Sequence, residues 1–112
     1  MKEFFQDGLD VKAFRNASNF TFNREAPITE YYHIAGAGGT LTIPATGFIA
    51  NDVIKIAKQA EASALTINAS GSNVIYYPDG TTDTSASIPA GTAMTVSLIY
   101  NGTNTFYLSV QG

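Results

Sequence analysis

One histidine, a few loop carboxylates and a glycine run are the residues of this chain whose types invite a chemical reading. His33 is the only histidine in 112 residues, and cysteine is absent. A catalytic histidine needs a nucleophile or carboxylate within hydrogen-bond reach. The sequence marks no such companion, so His33, inside Tyr31-Tyr32-His33-Ile34, is expected to be a satisfied side chain on a strand. A carboxylate pair for glycoside hydrolysis would have to come from loop acids such as Asp52, Asp79 and Asp83, and no spacing marks two of them as a pair. Asp79, Thr81 and Asp83 place oxygens at alternating positions, as a calcium site would. An EF-type loop needs more carboxylates and a late Glu, so Asp79-Gly80 reads instead as the end of a turn begun by Pro78. Gly36-Ala37-Gly38-Gly39 leads into Leu41-Thr42-Ile43, a strand pattern, with no Lys-Ser/Thr pair. A phosphate loop opens a helix whose amides hold the anion, so this run is expected to be a strand connection. These readings leave no catalytic residue, no cofactor and no metal, and the chain is expected not to be an enzyme.

Composition narrows the classes further. A chain of this length is expected to form one domain that buries roughly two-thirds of its unfolded surface. Lacking cysteine, it is at ease in a reducing compartment. Met1-Lys2-Glu3 opens no apolar leader, and no apolar run approaches the roughly 20 residues of a membrane-spanning helix. A net charge of -3 speaks against nucleic acid as a partner. Four Asn-X-Ser/Thr triplets, at Asn16, Asn19, Asn68 and Asn101, read as a by-product of Asn, Ser and Thr abundance. The six tyrosines could form sugar-stacking platforms, but core or subunit packing is the expected use of most of them.

The elements that would position these residues are strands. From Asn73 to Val110, apolar residues recur at every second position: Val74 and Tyr76; Met94, Val96, Leu98 and Tyr100; Phe106, Leu108 and Val110. Each run is expected to put these groups on one face. Pro78-Asp79-Gly80, Pro89-Ala90-Gly91 and Asn101-Gly102 fall between runs, where reversals need fixed or positive φ. Further strands are expected over residues 19–23, 29–35, 41–43, 53–57 and 65–68, with helical turns possible only over 2–6 and 58–63. Short strands at near ten-residue spacing predict an all-β fold, an antiparallel, jelly-roll-like β-sandwich. Most charge and five of the seven Phe lie in the first thirty residues. The chain is accordingly divided into an extended N-terminal arm, residues 1–18, and a β-domain, residues 19–112.

The stretch from about Thr40 to Val110 resembles a β-module that recurs in tailed-bacteriophage virion proteins. The resemblance rests on TLTIPA (40–45), NDVIKI (51–56), ALTINASG (64–71), YPDGTTDT (77–84), SIPAGTAMTVSLIYNGTN (87–104) and the closing strand 105–110. Many such modules carry Trp where this chain has Phe106. They are found in capsid decoration (cement) proteins, head fibres and tail fibres, and are commonly trimeric. The resemblance therefore implies a virion structural protein on the capsid surface, assembled in the host cytoplasm as a homotrimer and bound to the major capsid protein. A 112-residue chain starting at Met1 reads as a free-standing decoration subunit; a head-fibre, neck or tail-fibre component, attached to the particle or binding host glycan, is the alternative.

The residues expected to meet a partner lie early. A short, charged, Gly-interrupted segment should not carry large apolar groups unless they bury against something. Phe4, Phe5 and Phe14 are read as anchors for a neighbouring chain, with Lys12, Arg15 and Arg24 as polar rim. Phe20 and Phe22 divide evenly between that role and the domain core.

Overall fold

The computed structural model describes residues 11–15, 19–25, 27–35, 38–59 and 62–111. Phe4 and Phe5 lie outside these residues. The described chain forms eleven strands: β1 (Val11–Arg15), β2 (Asn19–Thr21), β3 (Glu30–Ala35), β4 (Gly39–Ile43), β5 (Val53–Lys58), β6 (Leu65–Ala69), β7 (Val74–Tyr76), β8 (Thr82–Asp83), β9 (Ser85–Ile88), β10 (Met94–Tyr100) and β11 (Thr105–Gln111). A seven-stranded sheet runs β1-β3-β5-β10-β11-β7-β8 and a four-stranded sheet runs β2-β4-β6-β9. The all-β expectation holds, with more strands than the spacing suggested.

Strand direction departs from the antiparallel sandwich. The chain changes sheet at every step from β1 to β7, so β1, β3 and β5 are parallel neighbours in the large sheet and β2, β4 and β6 in the small one. Parallel neighbours need a crossover of a dozen or more residues. Here the crossover is the intervening strand of the opposite sheet, which is why no helix is needed. The result is a flattened coil with two strands per turn, close to solenoid geometry. Antiparallel pairing enters only later: β9 adds to β6, and the β10–β11 hairpin inserts between β5 and β7. Both sheets are therefore mixed. β1, which falls within the expected arm of residues 1–18, is an edge strand of the large sheet.

The core fills the space between the sheets. Leu41, Ile43, Leu65 and Ile67 of the small sheet and Tyr31, Ile54, Ile56, Ile75 and Leu98 of the large one are fully buried. Alternation is clean in β5, where Ile54, Ile56 and Lys58 are buried between half-exposed neighbours. In β7 the expected face is reversed: Ile75 is buried and Tyr76 points outward. The Tyr31 hydroxyl, although buried, donates to the Ile28 carbonyl (3.1 Å) and accepts the Glu25 N–H (2.7 Å), pinning the β2–β3 connection.

The coil works only if connections of successive turns stack. At one end the Arg24 Nε donates to the Asp52 carboxylate (3.0 Å), which also accepts the Ile49 N–H (2.9 Å). The neighbouring Asn73 amide donates to the Ala45 carbonyl (3.2 Å). At the other end the Gly39 N–H reaches the Ala64 carbonyl (3.2 Å), and a Cβ on Gly38 would lie 2.6 Å from that same oxygen. Gly36 and Ala37 of the glycine run lie outside the described residues; Gly39 opens β4, and Gly38 just before it is required by close approach of the next turn. Lys58, also buried, donates from Nζ to the Gln59 (3.1 Å) and Thr92 (3.0 Å) carbonyls.

Two substitutions test this stacking by denaturant titration. Gly38→Ala is expected to cost about 1–3 kcal/mol of unfolding free energy through overpacking against rigid backbone. Asp52→Ala, which strands Arg24 in a largely buried setting, is expected to cost about 3–5 kcal/mol. A Gly38→Ala chain as stable as its parent would show that the connections do not approach this closely.

Candidate functional site

Residues with the types expected for chemistry are taken up by the fold. His33 is fully buried on the inner side of β3, its ring 5.8 Å from those of both Phe20 and Phe22. Asp52 is bound to Arg24. Asp79 closes its turn by accepting the Thr81 N–H (3.0 Å) and hydroxyl (2.6 Å), and those bonds hold its carboxyl below the usual range. Asp83 accepts the Thr84 N–H (2.6 Å). No cluster of three or more potential metal ligands occurs among the described residues.

The outer face of the large sheet presents a second set of side chains, these toward solvent. Because Ile54, Leu98, Leu108 and Ile75 point inward, their strand neighbours point out. Strand registers then align Glu30, Val53, Ile99, Tyr107, Tyr76 and Thr82 in one row across the sheet. Ile99, Tyr107 and Tyr76 are 41%, 46% and 39% exposed, which makes this row the main concentration of exposed large apolar groups among the described residues. The two tyrosine rings meet edge to face at 5.3 Å, a geometry aromatic pairs favour.

A polar row runs beside it: Tyr32, Lys55, Ser97 and Ser109. Lys55 Nζ lies 5.4 Å from the centroid of the Tyr32 ring, and the Tyr32 hydroxyl donates to the Glu30 carboxylate (2.7 Å). That bond to an anion, aided by burial, raises the Tyr32 pKa. Ser97 is 4% exposed and its Oγ has no hydrogen-bond partner. Aromatic faces, hydroxyls and one charge of each sign on a rigid sheet can bind through stacking, apolar contact and hydrogen bonds.

The residues expected from sequence to meet a partner fall elsewhere. Phe14 and Arg15 sit on β1, in register with His33 and Ile34. Phe20 is half-buried against Phe22 (5.0 Å, edge to face), and Phe22 is wholly inside the core, where it offers no surface to a partner. Arg24 is committed to Asp52. The outer row was missed because its members are scattered over β5, β10, β11 and β7. The available signal was Tyr76 beside Tyr77 and Phe106 beside Tyr107: adjacent large residues on a strand cannot share a face.

No known family profile matches the chain, and no match is found among curated proteins or among solved structures.

Alkaline titration tests the polar row. Tyr32 and Tyr77 both ionise above an ordinary tyrosine, Tyr77 chiefly because burial disfavours its anion, with Asp83 and Asp79 adding to the effect. Their neutral forms thus favour the fold up to about pH 10, and that contribution fades as pH rises through the raised folded values. Ultraviolet titration of Glu30→Gln is expected to show one late-ionising tyrosine shifted down relative to the parent. An unchanged titration would mean that Glu30 does not hold the Tyr32 proton.

Proposed function

We propose that this chain is a non-enzymatic structural protein of a tailed-bacteriophage virion, which decorates the capsid and stabilises it by binding the major capsid protein lattice. The observation that carries the reading is the exposed Ile99-Tyr107-Tyr76 row on the outer face of the large sheet. A large aromatic side chain presented by a sheet loses little freedom on binding and buries a large area, which is what interface anchors require. The sequence resemblance over residues 40–110 supplies the virion setting. As a homotrimer the protein would present three such faces, so modest energy per copy suffices once effective concentration is counted.

The same row favours a second reading, a fibre module that stacks host-surface sugar on Tyr76 and Tyr107, with Ser109 and Thr82 as nearby hydroxyls.

Particles stripped of the protein provide the test. Each buried Tyr ring should contribute about 1.5–3 kcal/mol, so Tyr76→Thr with Tyr107→Thr is expected to weaken rebinding by at least about tenfold while leaving unfolding midpoints nearly unchanged. Asp79→Asn should rebind like the parent. Equal rebinding of the double variant would remove the outer face from the attachment. Loss of glycan binding by that variant, with particle binding intact, would select the fibre reading.

A further inference from the structure

Asn101-Gly102 is the single Asn-Gly pair of the chain, and it opens the connection between β10 and β11. Such a pair can react with itself. The Gly backbone nitrogen attacks the Asn Cγ and a C–N bond forms. The side-chain nitrogen takes up the proton of the Gly N–H through solvent and leaves as ammonia. Water then opens the five-membered imide at either carbonyl, leaving aspartate or isoaspartate. Glycine in the second position favours the attack because no Cβ crowds the approach.

The fold requires both residues. Gly102 has a φ of +94°, and a Cβ there would lie 2.8 Å from the Ala50 Cβ. Asn101 Oδ1 accepts three backbone N–H groups, from Thr103 (2.8 Å), Asn104 (3.1 Å) and Thr105 (3.1 Å). Further bonds hold the turn closed. The Asn101 N–H donates to the Thr105 carbonyl (2.9 Å), and the Asn51 N–H to the Tyr100 carbonyl (2.9 Å). The Tyr100 hydroxyl donates to the Thr103 carbonyl (2.8 Å).

The same bonds keep the pair from reacting. Residues 101–104 are all exposed, so water and base reach them and burial gives no protection. Protection is geometric. Ring closure ties Cγ to the Gly102 nitrogen and turns the side chain back over its own peptide. Oδ1, which reaches forward to residues 103, 104 and 105, cannot take that position while all three bonds stand. The turn must open first, and an exposed turn opens locally at less cost than the whole chain unfolds. We propose that Asn101-Gly102 is a gated modification site, protected while the β10–β11 turn is closed and deamidated when it opens, with an isoaspartate product that prevents the turn from closing again. Isoaspartate routes the main chain through the former side chain. That lengthens the turn by a carbon and converts the shared acceptor into a main-chain carbonyl. Because β10 and β11 lie between β5 and β7 in the large sheet, the change loosens the hairpin that joins them. The inference is independent of the capsid reading, because it concerns the purified protein alone.

Timed incubation of the purified chain at mildly alkaline pH tests it. Products are mapped by peptide mass spectrometry, since Asp7-Gly8 and Asp79-Gly80 can form the same imide by losing water. Asn101 in the native chain is expected to deamidate at least about tenfold more slowly than in a blocked peptide of residues 99–105, a ratio set by how rarely the turn opens. Urea sufficient to unfold the chain should remove the difference. Tyr100→Phe, which keeps the ring and loses the bond to the Thr103 carbonyl, should react faster than the parent in native buffer. The isoaspartate form, separated by chromatography, should unfold at lower denaturant than the parent. A native chain that reacts as fast as the peptide, or urea that leaves the rate unchanged, would overturn the proposal. So would a Tyr100→Phe chain no faster than the parent, or an isoaspartate chain as stable as the parent.

Discussion

The structure depends on one constraint: a chain that passes from sheet to sheet at nearly every step must bury one face of every strand against the opposite layer. Ile54 and Ile56 on one side and Leu41, Ile43, Leu65 and Ile67 on the other are fully buried for that reason. The same path forces connections of consecutive turns to lie on one another at both ends. Backbone close to backbone leaves no room for a Cβ at Gly38, and the polar groups caught between turns must find partners there. Arg24 with Asp52, Asn73 with Ala45 and Lys58 with Thr92 are the solutions adopted.

This arrangement accounts for where the chemically able side chains went. A buried carboxylate or ammonium is tolerated only when paired and hydrogen-bonded. Asp52 and Lys58 each join segments distant in sequence, and Tyr31 spends its hydroxyl on the β2–β3 connection. Asp79 closes a turn, and Asp83 on β8 accepts the Thr84 N–H at the edge of the large sheet. With these groups held in structural contacts, the exposed large apolar side chains among the described residues gather chiefly on the outer face of the large sheet.

The edges carry a cost of their own. An unpaired strand edge invites association with another chain. β8 limits the exposure by being only two residues long, and at β9 the Tyr77 hydroxyl takes up the Ser85 carbonyl. Parallel stacking gives this fold two ends that differ in kind, β1 and β2 at one and β8 and β9 at the other.

By itself the sequence determined the all-β class, most strand positions and the turns. Period-two alternation and Gly, Pro and Asn at reversals are local properties, written within a few residues. It also placed His33 on a strand, and Asp79 in its turn, correctly. Only the tertiary structure decided direction, neighbours and face. Alternation is the same for a strand pointing either way, so nothing local distinguishes β3 running parallel to β5 from a hairpin. Tyr76 and Phe22 show the rest. β7 has apolar residues on both faces, and only the Ile75 position against β11 settles that Tyr76 faces out. Phe22 suited either a core or an interface until packing between the sheets placed it in the buried cluster. The row that joins Ile99, Tyr107 and Tyr76 comes from three strands brought side by side by inserting the C-terminal hairpin between β5 and β7, an event set by long-range pairing and packing rather than by any local pattern.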